Sequence, residues 1–308
     1  MTIDSWIEKQ KEMKLPKDDW KPSLYTMDQY HTDTVSRPDS LSTGWENLDE
    51  RIRYPNSALT FVTAPTSHGK SAWLQNSMYN LVAGTEMEHG ALFVAIEELP
   101  VAVMRRILQI ASNEILRLGN NSEGFVAYEK GERQDNEIIE NARTMLQAYI
   151  AGKRLRIMDG SNVVISALCD RTRQHHAWSP LSAIFIDYLQ EIPPDDNTQI
   201  RHLQIGDSCD QLKALARELK CAVVVAVQIG RAGASKNELA ELFHMRESGA
   251  VENKGDTVII LHNKDQGDSS DGRAELDVKL AKARNAPRGK IPNKVYLDGD
   301  TMRITVEV

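Results

Sequence analysis

The stretch Leu59-Thr-Phe-Val-Thr-Ala-Pro-Thr-Ser-His-Gly-Lys-Ser-Ala72 decides how the rest of the chain is read. Leu59 to Thr63 is a short run of apolar and β-branched residues, the form of a buried strand. Ala64 to Ser71 follows as a loop, and a helix is expected from about Lys70 to Ala83. The loop matches the phosphate-binding pattern G-x-x-x-x-G-K-[ST], with alanine at the first glycine. Gly69 lets the backbone come close to a phosphate. The loop N–H groups and the helix N-terminus make an anion cradle. Lys70 would reach the β- and γ-phosphates, and Ser71 would ligate Mg2+. Ser67, His68, Gly69, Lys70, Ser71 and Ala72 are therefore the candidate nucleotide contacts. The plainer alternative is an ordinary strand-to-helix turn with a chance Gly-Lys-Ser, which Ala64 keeps in play. The strand-loop-helix setting weighs against it.

Outward from this loop, other strand ends carry polar residues. Ala91 to Ile96 reads as a second apolar strand ending in Glu97-Glu98-Leu-Pro100, with a helix after it carrying Val101, Met104, Ile107 and Leu108. Doubly wound sheets place ligands at the carboxyl ends of their strands. Glu97, nearer the strand end, is the first candidate for a base that polarises a water, and Glu98 the second. The competing reading is a solvated helix start, since acids favour helix N-termini. Ser182 to Asp187 is another apolar strand ending in an acid, the form of a Walker B segment whose Asp187 holds Mg2+ through water. Such a strand is weak evidence alone and stronger beside the phosphate loop. Cys221 to Val227 ends in Gln228, an amide that could sense a γ-phosphate or simply bond to backbone. The Gly230 to Lys236 loop carries two cations, Arg231 and Lys236.

Ser161 to Ala177 reads as a helix with His175-His176 near its end, better taken as a surface pair than a metal site. Ala274, Leu276, Val278 and Leu280 alternate as in a half-buried strand, with Lys282-Ala-Arg284-Asn285 past its end. Alternating strands and helices argue for an α/β core with a mostly parallel sheet. The late alternating strands argue for an antiparallel extension.

Composition narrows the class. With 308 residues, 41% hydrophobic and 26% charged, the chain has the make-up of a globular protein. No run is long and apolar enough for a membrane span, and residues 1–19 lack a signal-peptide core, so a cytoplasmic protein is expected. Cys169, Cys209 and Cys221 are scattered and read as buried free thiols. The net charge of −7 rules out a basic nucleic-acid coat, yet Lys279 to Lys294 holds six Lys/Arg and no acid. A ring or cleft needs only such local charge to hold a phosphate backbone. Residues 1–40 stand apart: Ile3, Trp6 and Ile7 have helical spacing, followed by a polar linker. This segment is expected to dock on its own domain or on a neighbouring subunit, with residues 41–308 as the ATPase domain.

The ordered set resembles the C-terminal motor domain of the DnaB-family hexameric replicative helicases, a branch of the RecA-like ATPases. The resemblance runs from about Pro38 to Val308. It rests on Ser42-Thr-Gly, Gly69-Lys70-Ser71, Glu97-Glu98-Leu-Pro, Asp187-Tyr-Leu-Gln190, Leu212-Lys-Ala-Leu-Ala-Arg-Glu-Leu219, Val224-Val-Ala-Val-Gln228, Arg246-Glu-Ser-Gly249 and Lys282-Ala-Arg284-Asn285. It implies an ATP- and Mg2+-dependent helicase that tracks on single-stranded DNA, 5′ to 3′, as a hexameric ring in a bacterial cell or phage-infected host. By that likeness Lys70 and Ser71 bind nucleotide and metal, and Glu97 activates water. Asp187 supports the metal, and Gln228 couples the γ-phosphate to DNA-holding loops near Glu191–Arg201 and Arg231–Phe243. Lys282 and Arg284 would reach the nucleotide of the adjacent subunit, and Arg231 and Lys236 would contact DNA phosphates. A primase or a loader is left open as a further partner. The sequence departs from the family pattern at Ala64, in the doubled acid Glu97-Glu98, and in having about forty residues where the family has a helical N-terminal collar. The alternatives are a RecA-like ATPase that is not a helicase, such as a loader, recombination mediator or signalling ring, and a binding module with a silent ATPase.

Overall fold

The computed structural model describes residues 40–84, 87–116, 137–196, 200–229, 248–264, 272–284 and 286–307. The chain divides into two units, Met1–Pro38 and Asp39–Val308. The expected N-terminal helix lies outside the described residues.

In chain order the elements are β1 (Ser40–Leu41), α1 (Glu46–Asp49), β2 (Tyr54–Pro55), β3 (Leu59–Ala64), α2 (Lys70–Ala83), β4 (Gly90–Ala95), α3 (Pro100–Leu116), α4 (Glu137–Ala151), β5 (Leu155–Asp159), α5 (Ile165–Trp178), β6 (Leu181–Asp187), α6 (Arg201–Leu219), β7 (Ala222–Gln228), α7 (Ser248–Lys254), β8 (Thr257–Asn263), β9 (Arg273–Ala283), β10 (Gly289–Lys290), β11 (Lys294–Asp298) and β12 (Ile304–Glu307). The main sheet runs β12-β11-β9-β8-β3-β7-β6-β4-β5, with β10 on β9. From β8 to β5 every pairing is parallel. From β8 outward through β9, β11 and β12 every pairing is antiparallel. This is the parallel core with an antiparallel extension expected from the sequence.

The parallel strands are continuous apolar runs because both their faces are covered. All residues of β3, β4 and β8 are buried. The pleat sends Val62 to the face packed by Trp73, Met78, Ile107 and Leu146 of α2, α3 and α4. It sends Phe61 to the opposite face, with Leu168 of α5 and Leu212 and Ala216 of α6. Each large side chain buried this way contributes about 1.5–3 kcal/mol, so the strand carrying the phosphate loop is clamped between two helical layers.

Ser42-Thr-Gly44 docks the chain onto α2. Thr43 donates from both its N–H and its hydroxyl to Asp49 Oδ1, each at 2.7 Å. Gly44 has φ +91°, and a Cβ there would come within 2.5 Å of Asn80 Cβ on α2. Only glycine allows that approach.

Several boundaries differ from the sequence expectation. Helix α5 begins at Ile165 rather than Ser161, because Asp159 accepts the Ser161 N–H at 2.9 Å and holds a turn there. Lys282 lies inside β9, paired with Val258, and Arg284 just beyond it. In α3 Val101 is 71% exposed, and the buried face is Val103, Ile107, Ile110 and Ala111. His175 and His176 are half-buried rather than on the surface. His176 Nδ1 accepts the Leu181 N–H at 3.3 Å, so it serves the start of β6. Cys169, Cys209 and Cys221 are buried free thiols. No described helix is long and apolar enough to cross a membrane.

Candidate active site

Six parallel strands, β3, β4, β5, β6, β7 and β8, end on the same side of the sheet. The register puts Ala64 beside Gln228 and Ala95 beside Asp187. Since β7 separates β3 from β6, the phosphate loop and Asp187 start two strand spacings apart, about 10 Å. Helix α2 and the Lys70 side chain bridge that gap.

The loop itself is shaped by two left-handed residues, Ser67 at φ +65° and Gly69 at φ +89°. Ser67 pays the steric cost of that region, about 1–2 kcal/mol for an L-residue. Such turns aim successive N–H groups into a concave nest for an anion. Ala64 is not among the positive-φ residues. It is the last residue of β3, fully buried, with its carbonyl accepting the Ile229 N–H at 3.0 Å. An alanine methyl fits there, and the loop does not need glycine at that position. His68 latches the loop to the neighbouring strand: its Nδ1 accepts the Asn263 N–H at 2.9 Å. Burial, with His262 and Lys70 nearby, pushes its pKa down to about 4. The ring is therefore neutral with its proton on Nε2.

Lys70 is buried and donates to the Pro65 carbonyl at 3.1 Å. Burial lowers its pKa, while Asp187 and then Glu97 act in the opposite sense. Asp187 is 5% exposed. Burial raises its pKa to about 6, against a hydrogen bond from Ser71 and the charge of Lys70. Its Oδ1 is buried with no hydrogen-bond partner. An orphaned carboxylate oxygen beside a serine hydroxyl is what a hard cation would satisfy. Among the described residues no cluster of three or more His, Cys, Asp or Glu could hold a metal. Mg2+ suits such a sparse site, because it keeps waters and phosphate oxygens as ligands.

The two adjacent acids separate clearly. Glu98 forms a two-pronged pair with Arg106 on α3, at 2.6 and 2.7 Å. Glu97 is exposed, acts on Lys70 and Asp187, and has its N–H bonded to the Asp187 carbonyl at 3.3 Å. Gln228 touches the loop directly, donating from Nε2 to Thr66 Oγ1 at 2.9 Å. Gln190 clamps it: its Nε2 donates to the Gln228 carbonyl at 2.9 Å, and its Oε1 accepts the Gln228 N–H at 3.1 Å. Sequence reasoning gave no role to Thr66, Gln190 or Asn263. Gln190 had a signal, because Asp187 and Gln228 end adjacent strands and a residue three past Asp187 can reach across.

Lys282 and Arg284 are not part of this cluster. Arg284 Nε pairs with Asp256 Oδ1 at 3.0 Å, and Lys282 Nζ donates to the Glu252 carbonyl. Asp256 also binds the Leu59 N–H, at the start of β3. From Leu59 to Ala64 the strand rises about 16 Å. Arg284 is thus anchored at the far end of the strand from the loop that follows Ala64. A cavity of about 650 Å³ opens there, lined by Arg51, Arg217, Asp256 and Arg284 among others. Arg231 and Lys236 lie outside the described residues.

Known proteins resemble this arrangement. At 28% identity over 232 residues, the chain matches the probable plasmid replicative DNA helicase of Chlamydia psittaci, covering 74% of this chain and 47% of that protein. The replicative DNA helicase DnaB of Geobacillus stearothermophilus is 26% identical over 255 residues, covering 82% and 53%. The chain therefore spans about half the length of the curated relatives it matches. A solved structure of a DnaB-like replicative helicase and its interactions with primase superposes with a TM-score of 0.73 at 20% identity, over 98% of this chain and 70% of that one. That likeness shows a shared RecA-like fold. The family model of the DnaB-like helicase C-terminal domain matches residues 40–304, from the first described strand to the last, and the chain belongs to that family.

Proposed function

We propose that the protein is an ATP-driven motor that tracks on single-stranded DNA and unwinds duplex DNA in replication, working as a head-to-tail homo-oligomeric ring, hexameric by family likeness. The observation that carries this reading is the meeting of Lys70, Ser71, Glu97 and Asp187 at one set of strand ends, with Gln228 bonded to the loop they surround. The loop N–H groups and Lys70 hold the phosphates of ATP. Ser71 and Asp187 would hold Mg2+, which when bound neutralises charge on the β- and γ-phosphate oxygens. Glu97, exposed and free of the pair that occupies Glu98, orients the attacking water and accepts its proton. Gln228 links the loop, through Thr66, to the segment after β7 where Arg231 and Lys236 meet the DNA backbone.

Arg284, with Lys282 beside it, serves the nucleotide of the next copy. Its anchor at the opposite end of β3 keeps it from its own phosphate loop, and the adjoining cavity offers space for the neighbour. Head-to-tail contacts of this kind close into rings when the rotation per subunit allows. The names of the relatives support a replicative helicase over a loader or recombination mediator, and a primase is the partner class that the structural neighbour brings to mind for this chain.

The direct test is steady-state ATP turnover with and without single-stranded DNA, with Lys70→Ala as control. Strong stimulation by DNA that vanishes in the variant is expected. Turnover indifferent to DNA would favour the ATPase that is not a helicase.

A further inference from the structure

Asp256 stands just before β8 and is 7% exposed. Its Oδ2 accepts the Leu59 N–H at 3.1 Å, which ties it to β3. Its Oδ1 accepts from Lys213 Nζ of α6 at 2.9 Å, and Lys213 donates also to the Lys254 carbonyl at 2.7 Å. These contacts fix the carboxylate to the sheet and to the helix layer. The third contact is different in kind, because it reaches a side chain that is 60% exposed: Arg284, through Nε, at 3.0 Å.

An exposed ion pair on a mobile carboxylate contributes little. Here one partner is immobile, so the pair acts on the other. Anchoring Arg284 by Nε occupies one of its five N–H donors and leaves the terminal amines to meet another group. It also restricts a long side chain that otherwise loses rotamer entropy when ordered. Lys213, Lys282 and Arg284 crowd this corner, with Asp256 and Glu252 as the opposing acids. Without the carboxylate, Arg284 would be repelled from its place by its own neighbours.

We propose that Asp256 is a positioning residue for the reaction: it holds the Arg284 guanidinium in place so that its terminal nitrogens meet a phosphate bound by the next copy of the chain. This rests on the reading of Arg284 as the contact made in trans. The competing account is that Asp256 only fastens β3, β8 and α6 together. Lys213 separates the two, because it shares the fastening and is not itself the cation presented.

The test compares Asp256→Asn, Lys213→Gln and Arg284→Ala in the full chain, with DNA present. The readouts are kcat and KM for ATP, binding of a non-hydrolysable ATP analogue, and thermal midpoint. Asp256→Asn is expected to lower kcat about tenfold, the scale of one charge-assisted hydrogen bond, with analogue binding and KM unchanged. Lys213→Gln is expected to lower the thermal midpoint while keeping kcat. Wild-type kcat in Asp256→Asn, or an equal loss of kcat in Lys213→Gln, would overturn the positioning role. Normal turnover in Arg284→Ala would instead overturn the trans reading, and the Asp256 proposal with it.

Discussion

At the carboxyl end of β3 the chain buries a lysine and an aspartate, and at the amino end it leaves an arginine on the surface. Lys70 and Asp187 are 9% and 5% exposed, with pKa values displaced toward neutrality by burial. Arg284, anchored beside Leu59, is 60% exposed and borders an open cavity. The buried Lys70 tolerates desolvation because Asp187 and Glu97 of the same chain answer its charge. A cation proposed to serve a second copy has to stay accessible, with only its base held. On the proposed reading, the two ends of one strand carry the two halves of a site shared between copies.

The sharpest way to break this comparison is to remove one group from each end. Lys70→Ala is expected to lose nucleotide binding and turnover together. Arg284→Ala is expected to keep nucleotide binding and lose turnover by about 10³–10⁵, the range of a cation supplied in trans to phosphoryl transfer. Equal loss of binding and turnover in Arg284→Ala would place it in its own site or in folding.

At the carboxyl end of the strands, Glu97 and Glu98 can be set against each other. Glu97→Gln is expected to cost about 10²–10⁴ in turnover, as for a lost general base. Glu98→Gln breaks the pair with Arg106 and is expected to cost about 1 kcal/mol of stability with turnover kept. The reverse pattern would exchange their roles.

A smaller effect tests the burial of Asp187. Its carboxyl is raised from the ordinary 3.8 to about 6. The folded state therefore binds the proton more tightly than the unfolded state. Its contribution to stability is present below pH 4 and lost as pH rises through 6. Asp187→Asn has no such proton to lose. In nucleotide-free denaturant unfolding, its stability relative to wild type is expected to rise from pH 4 to pH 7 by up to about 3 kcal/mol. A difference that is flat with pH would show that Asp187 is not desolvated.

Legibility in the sequence followed chain distance. The phosphate loop was readable because its parts are contiguous, and the strands were readable because burial on both faces makes them continuous apolar runs. The alternation of Ala274, Leu276, Val278 and Leu280 likewise marked β9. The choice between Glu97 and Glu98 was not readable, because both are acids at a strand end and only the position of Arg106 on α3 separates them. Val101 misled, because at the first turn of α3 it faces solvent while Val103 takes the buried phase. Asp256 carried no local signal: its partners Leu59 and Lys213 are 197 and 43 residues away. The same holds for the His68–Asn263 latch, across 195 residues.

The claim that one site is shared between copies is tested most directly by mixing. Lys70→Ala and Arg284→Ala proteins, each inactive alone, are combined and ATP turnover is measured with single-stranded DNA. In a head-to-tail assembly, some interfaces join an intact Lys70 from one variant to an intact Arg284 from the other. Turnover of about a quarter of wild type is then expected at equal mixing. Mixed assemblies that form and remain inactive would contradict the account, because Lys70 and Arg284 would then have to act within one chain.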